Sequence, residues 1–195
     1  MTARGPGRPR SESARRAIIK ATLGLVDELG YGAVTMEGIA RRAEVSKQTV
    51  YRWWSSPMEI VLETINQGAE RAAPLVETDV FEDDLRTFVR RSVDGAHNSA
   101  KLLVALMAEA QRNPGLAPSF RHEFLERRRA VLHELLARAR SRGAIDHGVD
   151  TNLVVEMFFG TLWYRLLAHS GPLDHDFADE LAGALLALTL RPERT

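Results

Sequence analysis

The ten residues Val45-Ser46-Lys47-Gln48-Thr49-Val50-Tyr51-Arg52-Trp53-Trp54 bring together two cations, an amide, two hydroxyl side chains, a tyrosine and two tryptophans. A buried core does not tolerate Lys47, Gln48 and Arg52 so close together, and a solvated face has little use for Tyr51, Trp53 and Trp54. The chemistry open to this set is recognition of a partner outside the chain. Gln48 can present both a donor and an acceptor to adenine, and Thr49 its hydroxyl or its methyl. Lys47, Tyr51 and Arg52 suit phosphates or guanine.

Other chemistries do not assemble. With no cysteine among 195 residues, disulfides, thiolate zinc sites and thiol nucleophiles are excluded. His122-Glu123 and His133-Glu134 begin like the zinc-protease helix, but Glu126 and Ala137 stand where the second histidine belongs. No phosphate loop and no Gly-x-Ser-x-Gly turn is present, and the six histidines are scattered. The reading is therefore a non-enzyme with no cofactor and no metal. Arg127-Arg128-Arg129 reads as a solvated helix face.

Recognition residues need elements to carry them. Apolar residues recur at helical spacing almost throughout and no long β-alternation appears, so the expected class is all-α. Helices are expected from Ser11 to Leu29 with Gly30 as C-cap, from Thr35 to about Ala43, and from Ser46 onward. In the first, Ile18, Leu25 and Leu29 form the apolar face. A fourth starts at the capping box Ser56-Pro57-Met58-Glu59 and runs toward Ala73. Further helices are expected at about 80–97, 99–112, 117–142, 150–169 and 175–190. The second and third, joined by a short turn, have helix-turn-helix geometry, which sets its second helix in the DNA major groove. Ile39, Ala40, Val45 and Val50 supply its small core.

Charge follows the same division. Residues 1–56 carry ten Lys or Arg against five acids, net +5, and the remainder 16 against 21, net −5. A basic head on an acidic body suits a nucleic-acid binder. The expected organisation is a disordered basic arm at 1–10, a helix-turn-helix domain at 11–56, and a helical ligand-binding and dimerisation domain at 57–195.

The stretch Thr35 to Trp54, "TMEGIARRAEVSKQTVYRWW", resembles the DNA-binding signature of the TetR family of transcriptional regulators. The resemblance covers about residues 11–65 specifically, and the rest by length and helix number. It implies that Thr35 and Tyr51 touch phosphates, that Gln48, Thr49 and Lys47 read bases, and that Trp53 and Trp54 close the small domain onto the fourth helix. Two positions depart from the pattern. Glu44 replaces the usual turn glycine, where a left-handed backbone costs about 1 kcal/mol. Pro57 replaces a phosphate-binding lysine, and that contact is not carried over. The arm "PGRPR" resembles minor-groove hooks, with Arg8 and Arg10 as its cations.

In the body, the 150–169 helix has no polar face. Leu153, Met157 and Tyr164 cluster around Gly160, with Val155, Phe158, Leu162 and Leu166 opposite, so both sides need covering. The family resembled forms a four-helix dimer interface from its last two long helices. That assigns Leu153, Met157, Gly160 and Tyr164, with Leu181, Leu185 and Leu188, to a homodimer contact. A ligand pocket is expected among Phe88, Leu103, Met107, Phe120, Phe124, Phe159 and Trp163, with Glu109, Arg165 and His169 as orienting groups. The most apolar window, 153–168, is broken by Glu156 and Arg165, and no signal-peptide core opens the chain, so a cytoplasmic protein without a membrane partner is expected.

The function this supports is a homodimeric repressor that binds a palindromic double-stranded DNA operator and is released by a small-molecule effector. The alternatives are a helical enzyme or ligand-storage protein with an incidental helix-turn-helix, and an effector-free architectural DNA binder.

Overall fold

The computed structural model describes residues 12–72, 78 and 80–190, with backbone alone at 69–72. The expected arm, with Arg8 and Arg10, lies outside the described residues. The chain divides into two compact units, Met1–Thr64 and Ile65–Thr195.

The first unit is built on α1 (Glu12–Leu29), α2 (Met36–Arg42), α3 (Lys47–Tyr51) and the beginning of α4 (Pro57–Ala72). The buried stripe of α1 is Ile18, Ala21, Thr22 and Val26. Leu29, expected on that face, is exposed, because it is the last residue of the helix and the chain turns away at Gly30. Gly30 makes that turn at φ 75° and ψ 156°, a region that side-chain-bearing residues avoid. A bidentate pair, Arg42 to Glu28 at 2.5 Å for both nitrogens, ties α2 to α1.

α4 starts as its capping residues dictate. The Glu59 amide donates to Ser56 Oγ at 3.3 Å, while the Glu59 carboxylate reaches back to the amide of Ser55 at 2.7 Å. The reciprocal half of the box thus falls one residue earlier than expected. The division between the units lies inside α4, after Thr64.

The second unit contains the rest of α4, then α5 (Phe81–Asn98), α6 (Ala100–Arg112), α7 (Ala117–Ser119), a π-helical segment (Phe120–Glu126), α8 (Arg127–Ser141), α9 (Thr151–Ala168) and α10 (His175–Thr189). The expected single helix at 117–142 is therefore helical but widened through one π segment. Asp150 caps α9 by accepting from the Asn152 amide at 2.9 Å, and Asp174 caps α10 through the Phe177 amide at 3.0 Å. The core is formed by Leu85, Val89 and Val93 of α5, Leu106 of α6, Leu132 and Leu136 of α8, and Val155 and Phe158 of α9.

α10 packs along α5, where Arg90 and Asp179 form a two-pronged pair at 2.7 and 2.8 Å. This packing corrects one expectation. Leu181 and Leu185 are buried in the protomer's own core, and of the anticipated α10 stripe Leu188 alone is exposed. The described residues contain no strand; an isolated antiparallel bridge pairs Ile145 with Leu190.

Candidate nucleic-acid interface and ligand cavity

α2 is set by its N-cap. Thr35 has extended backbone and its Oγ1 accepts from the Gly38 amide at 3.0 Å. A Cβ at position 38 would approach that oxygen to 3.2 Å, so glycine leaves room for the cap to close. Ile39, Ala40 and Val50 are fully or almost fully buried and hold α2 against α3, whereas Val45 is only half-buried. Between the helices Glu44 takes φ 54°, the left-handed conformation usually given to glycine.

Ser46 caps α3: its Oγ accepts from the Thr49 amide at 3.2 Å and lies 2.9 Å from Thr49 Oγ1. With Val50 facing inward, Lys47, Gln48, Tyr51 and Arg52 are exposed, Thr49 is half-buried, and Thr35 is exposed at the start of α2. Lys47 Nζ is engaged by the Glu37 carboxylate, and this hydrogen bond holds the Glu37 pKa below the ordinary carboxylate value.

The tryptophans turn inward. Trp54 is buried and donates from Nε1 to Glu63 of α4 at 2.7 Å; Glu63 also pairs with Arg15 of α1, whose guanidinium stands 5.5 Å from the Trp53 ring. The two indoles stack at 5.8 Å. Trp53 and Trp54 thus bind the first unit together, leaving the polar side chains of α3 as its outer face.

The second unit contains a half-open cavity of about 380 Å³. Four of the seven anticipated pocket residues, Leu103, Phe124, Phe159 and Trp163, line it. The other three do not. Phe88 is core, packed on Phe158 at 5.3 Å, and Met107 is half-buried elsewhere on α6. Phe120 lies behind the wall, stacked on Phe124 at 5.7 Å and edge-on to Trp163 at 6.4 Å. The π segment brings these rings into near-parallel stacking, with 12° between their planes.

The polar wall differs from expectation. Glu109 pairs with Arg112 at 2.8 Å, Arg165 donates to the Pro172 carbonyl at 2.9 Å and covers the Phe177 ring, and His169 is the exposed C-cap of α9. Instead Ser92 of α5 and Arg128 of α8 face the cavity, joined by a 3.1 Å hydrogen bond from Arg128 Nη2 to Ser92 Oγ. Arg128 is half-buried with its guanidinium 6.0 Å from the Phe88 ring, and desolvation pulls its pKa below the ordinary arginine value. The three-arginine run is accordingly no uniform solvated face: Arg127 is exposed, Arg128 lines the cavity, and Arg129 approaches Glu156 at 3.6 Å.

α9 presents its second apolar side outward. Leu153 is 52% exposed, Met157 42%, Tyr164 66% and Leu167 42%, beside an exposed Gly160. No described helix is long and apolar enough to cross a membrane, and no cluster of three or more potential metal ligands occurs among the described residues.

Residues 18–64 match the family model described as bacterial regulatory proteins, tetR family, and residues 75–185 match that of the tetracyclin repressor-like C-terminal domain. The HTH-type transcriptional regulator YdeS of Bacillus subtilis is 29% identical over 183 residues, 90% of this chain and 89% of that one. The DNA-binding transcriptional repressor TetR of Mycobacteroides abscessus is 26% identical over 189 residues, 94% of this chain and 97% of that one. The crystal structure of the TetR family transcription regulator SCO0332 matches with a TM-score of 0.73 at 29% identity, covering 93% of this chain and all of that one. The two family models together span most of the chain, one over the helix-turn-helix and one over the helical body, and the chain belongs to the TetR family as a DNA-binding transcriptional regulator.

Proposed function

We propose that the protein is a repressor that acts in the cytoplasm as a homodimer, binds a palindromic operator, and releases it when a small molecule fills the cavity of the second unit. The observation that carries the DNA-reading part is the outward row Lys47, Gln48, Tyr51 and Arg52, held by two capped helices with Thr35 at the entry of α2. Gln48 and Thr49 read base edges, with Lys47 beside them; Thr35 and Tyr51 grip phosphates, and Arg52 serves either. The exposed α9 residues Leu153, Met157, Gly160 and Tyr164, with Leu188 of α10, form the dimer contact. Burial of Leu181 and Leu185 removes them from it.

Release runs through α4. This helix is continuous from Pro57 to Ala72, and its residues Ile65 and Gly68 line the cavity. A ligand that displaces them changes the spacing of the two recognition helices, which must stay one DNA turn, about 34–36 Å, apart. Selection of bound fragments from random DNA by the purified protein tests the base-reading assignment. Gln48→Ala should relax the consensus at one position per half-site, a loss of about 1–3 kcal/mol against the preferred base. An unchanged consensus would remove Gln48 from the readers.

A further inference from the structure

The cavity is walled in part by rings that other rings hold in place. Phe124 of the π segment and Phe159 and Trp163 of α9 line it. Behind them stands a buried second row. Phe120 stacks on Phe124 at 5.7 Å and meets Trp163 edge-on at 6.4 Å, while Phe158 meets Phe159 edge-on at 4.8 Å and packs on Phe88. Each lining ring is thus braced by one that does not itself line the cavity, so its orientation is set before any occupant arrives. Among the described residues no methionine, the side chain that adapts most readily to varied shapes, joins this lining.

α4 and α5 contribute the opposite kind of surface. Gly68 of α4 and Gly95 of α5 both line the cavity, and a Cβ built at either would meet no heavy atom within 4 Å among the described residues. Close packing therefore does not require glycine at these positions, although glycine inside a helix weakens it relative to alanine. What the two glycines leave is bare helix backbone beside the cavity, which a ligand can approach closely. Fixed rings together with bare backbone suit a thin, rigid body, whereas a flexible chain would have to be ordered to fill the same space. The volume of about 380 Å³ lies in the range of small-ligand sites.

Building on the effector-release reading above, we propose that the cavity takes a flat, fused aromatic ring system, held against Phe124, Phe159 and Trp163 and admitted by the missing side chain at Gly95. The saturated form of the same skeleton is thicker and has no π faces, and it binds more weakly. Recognition rests on the rings and asks for no charge on the ligand: Arg128 already donates to Ser92 and lies beside the Phe88 ring.

Isothermal titration of the full chain, without DNA, tests it with one matched, uncharged pair: 2-naphthalenemethanol against decahydro-2-naphthalenemethanol, which share a carbon skeleton and a hydroxyl. A single ring contact is worth a factor of about two to ten beyond the area it buries, so with three rings available the aromatic alcohol should bind at least about tenfold more tightly. Trp163→Leu should cut that ratio at least about twofold by removing one of the rings. Gly95→Leu should abolish binding of the aromatic alcohol while keeping the wild-type circular dichroism and melting temperature, because its side chain enters open space. A saturated alcohol that binds as tightly, no binding of either alcohol, a ratio unchanged in Trp163→Leu, or a folded Gly95→Leu that binds as the wild type does would each overturn the proposal. The wild-type ratio tests it whether or not either variant folds. Operator affinity measured with and without the bound aromatic alcohol is a separate readout. An aromatic preference that depends on Trp163 yet leaves operator affinity unchanged supports this assignment and overturns effector release.

Discussion

At the scale of single residues, the proposed DNA face is partly occupied by the protein's own contacts. Lys47 is engaged by Glu37, and the Thr49 hydroxyl by Ser46, so each meets DNA with part of its hydrogen-bonding capacity already in use. Both members of the Lys47–Glu37 pair are more than half exposed, so the pair adds little to folding stability. Its effect is on charge: one carboxylate sits beside the cation that DNA would attract. Glu37→Gln should tighten binding to a fixed operator and steepen log affinity against log salt by about 0.9 per protomer if Lys47 then meets a phosphate. Filter-binding isotherms over a salt series decide this, and an unchanged slope would place Lys47 away from the phosphates. Gln48, Tyr51 and Arg52 were legible in the sequence because the α3 period leaves one inward position, Val50. Arg128 was not. It sits between two other arginines, and nothing in a charge run tells which member turns toward a cavity.

Among the elements, the turn between α2 and α3 carries a measurable strain. Glu44 at φ 54° holds a backbone region that costs a side-chain-bearing residue about 1 kcal/mol. Glu44→Gly should therefore stabilise the protein by up to about 1 kcal/mol, less what glycine adds to the freedom of the unfolded chain. Urea denaturation followed by far-ultraviolet circular dichroism measures it, and a destabilised variant would mean that the Glu44 side chain makes a compensating contact. Helix positions could be read closely from the sequence because their ends are chemically marked: Thr35, Ser46, Asp150 and Asp174 all cap as their types dictate. The neighbours of each helix could not. The α10 stripe looked free because its period reveals an apolar face but not that α5 covers it. The π segment left no periodic signal either, since its apolar residues Phe120 and Phe124 fit an α-helix equally well.

For the whole molecule, the contrast between Met157 and Leu185 separates assembly from folding. Met157 is 42% exposed on α9, while Leu185 is 1% exposed on the buried face of α10. Met157→Glu should leave a folded protomer that sediments as a monomer and binds its operator weakly. Leu185→Glu should instead lose the fold, because it buries an unpaired carboxylate. A Met157→Glu variant that still sediments as a dimer would move the contact off this α9 face. The division of the chain inside α4 has a further consequence, which concerns phase. Each added residue of α-helix turns everything beyond it by about 100° and advances it about 1.5 Å. In the proposed homodimer, one residue inserted after Thr64 should leave the caps, the polar row and the cavity chemistry untouched, yet turn the proposed reading surface to a different heading and weaken operator binding, which a binding isotherm would show. Seven residues, nearly two full turns, would bring the heading back to within about 20°.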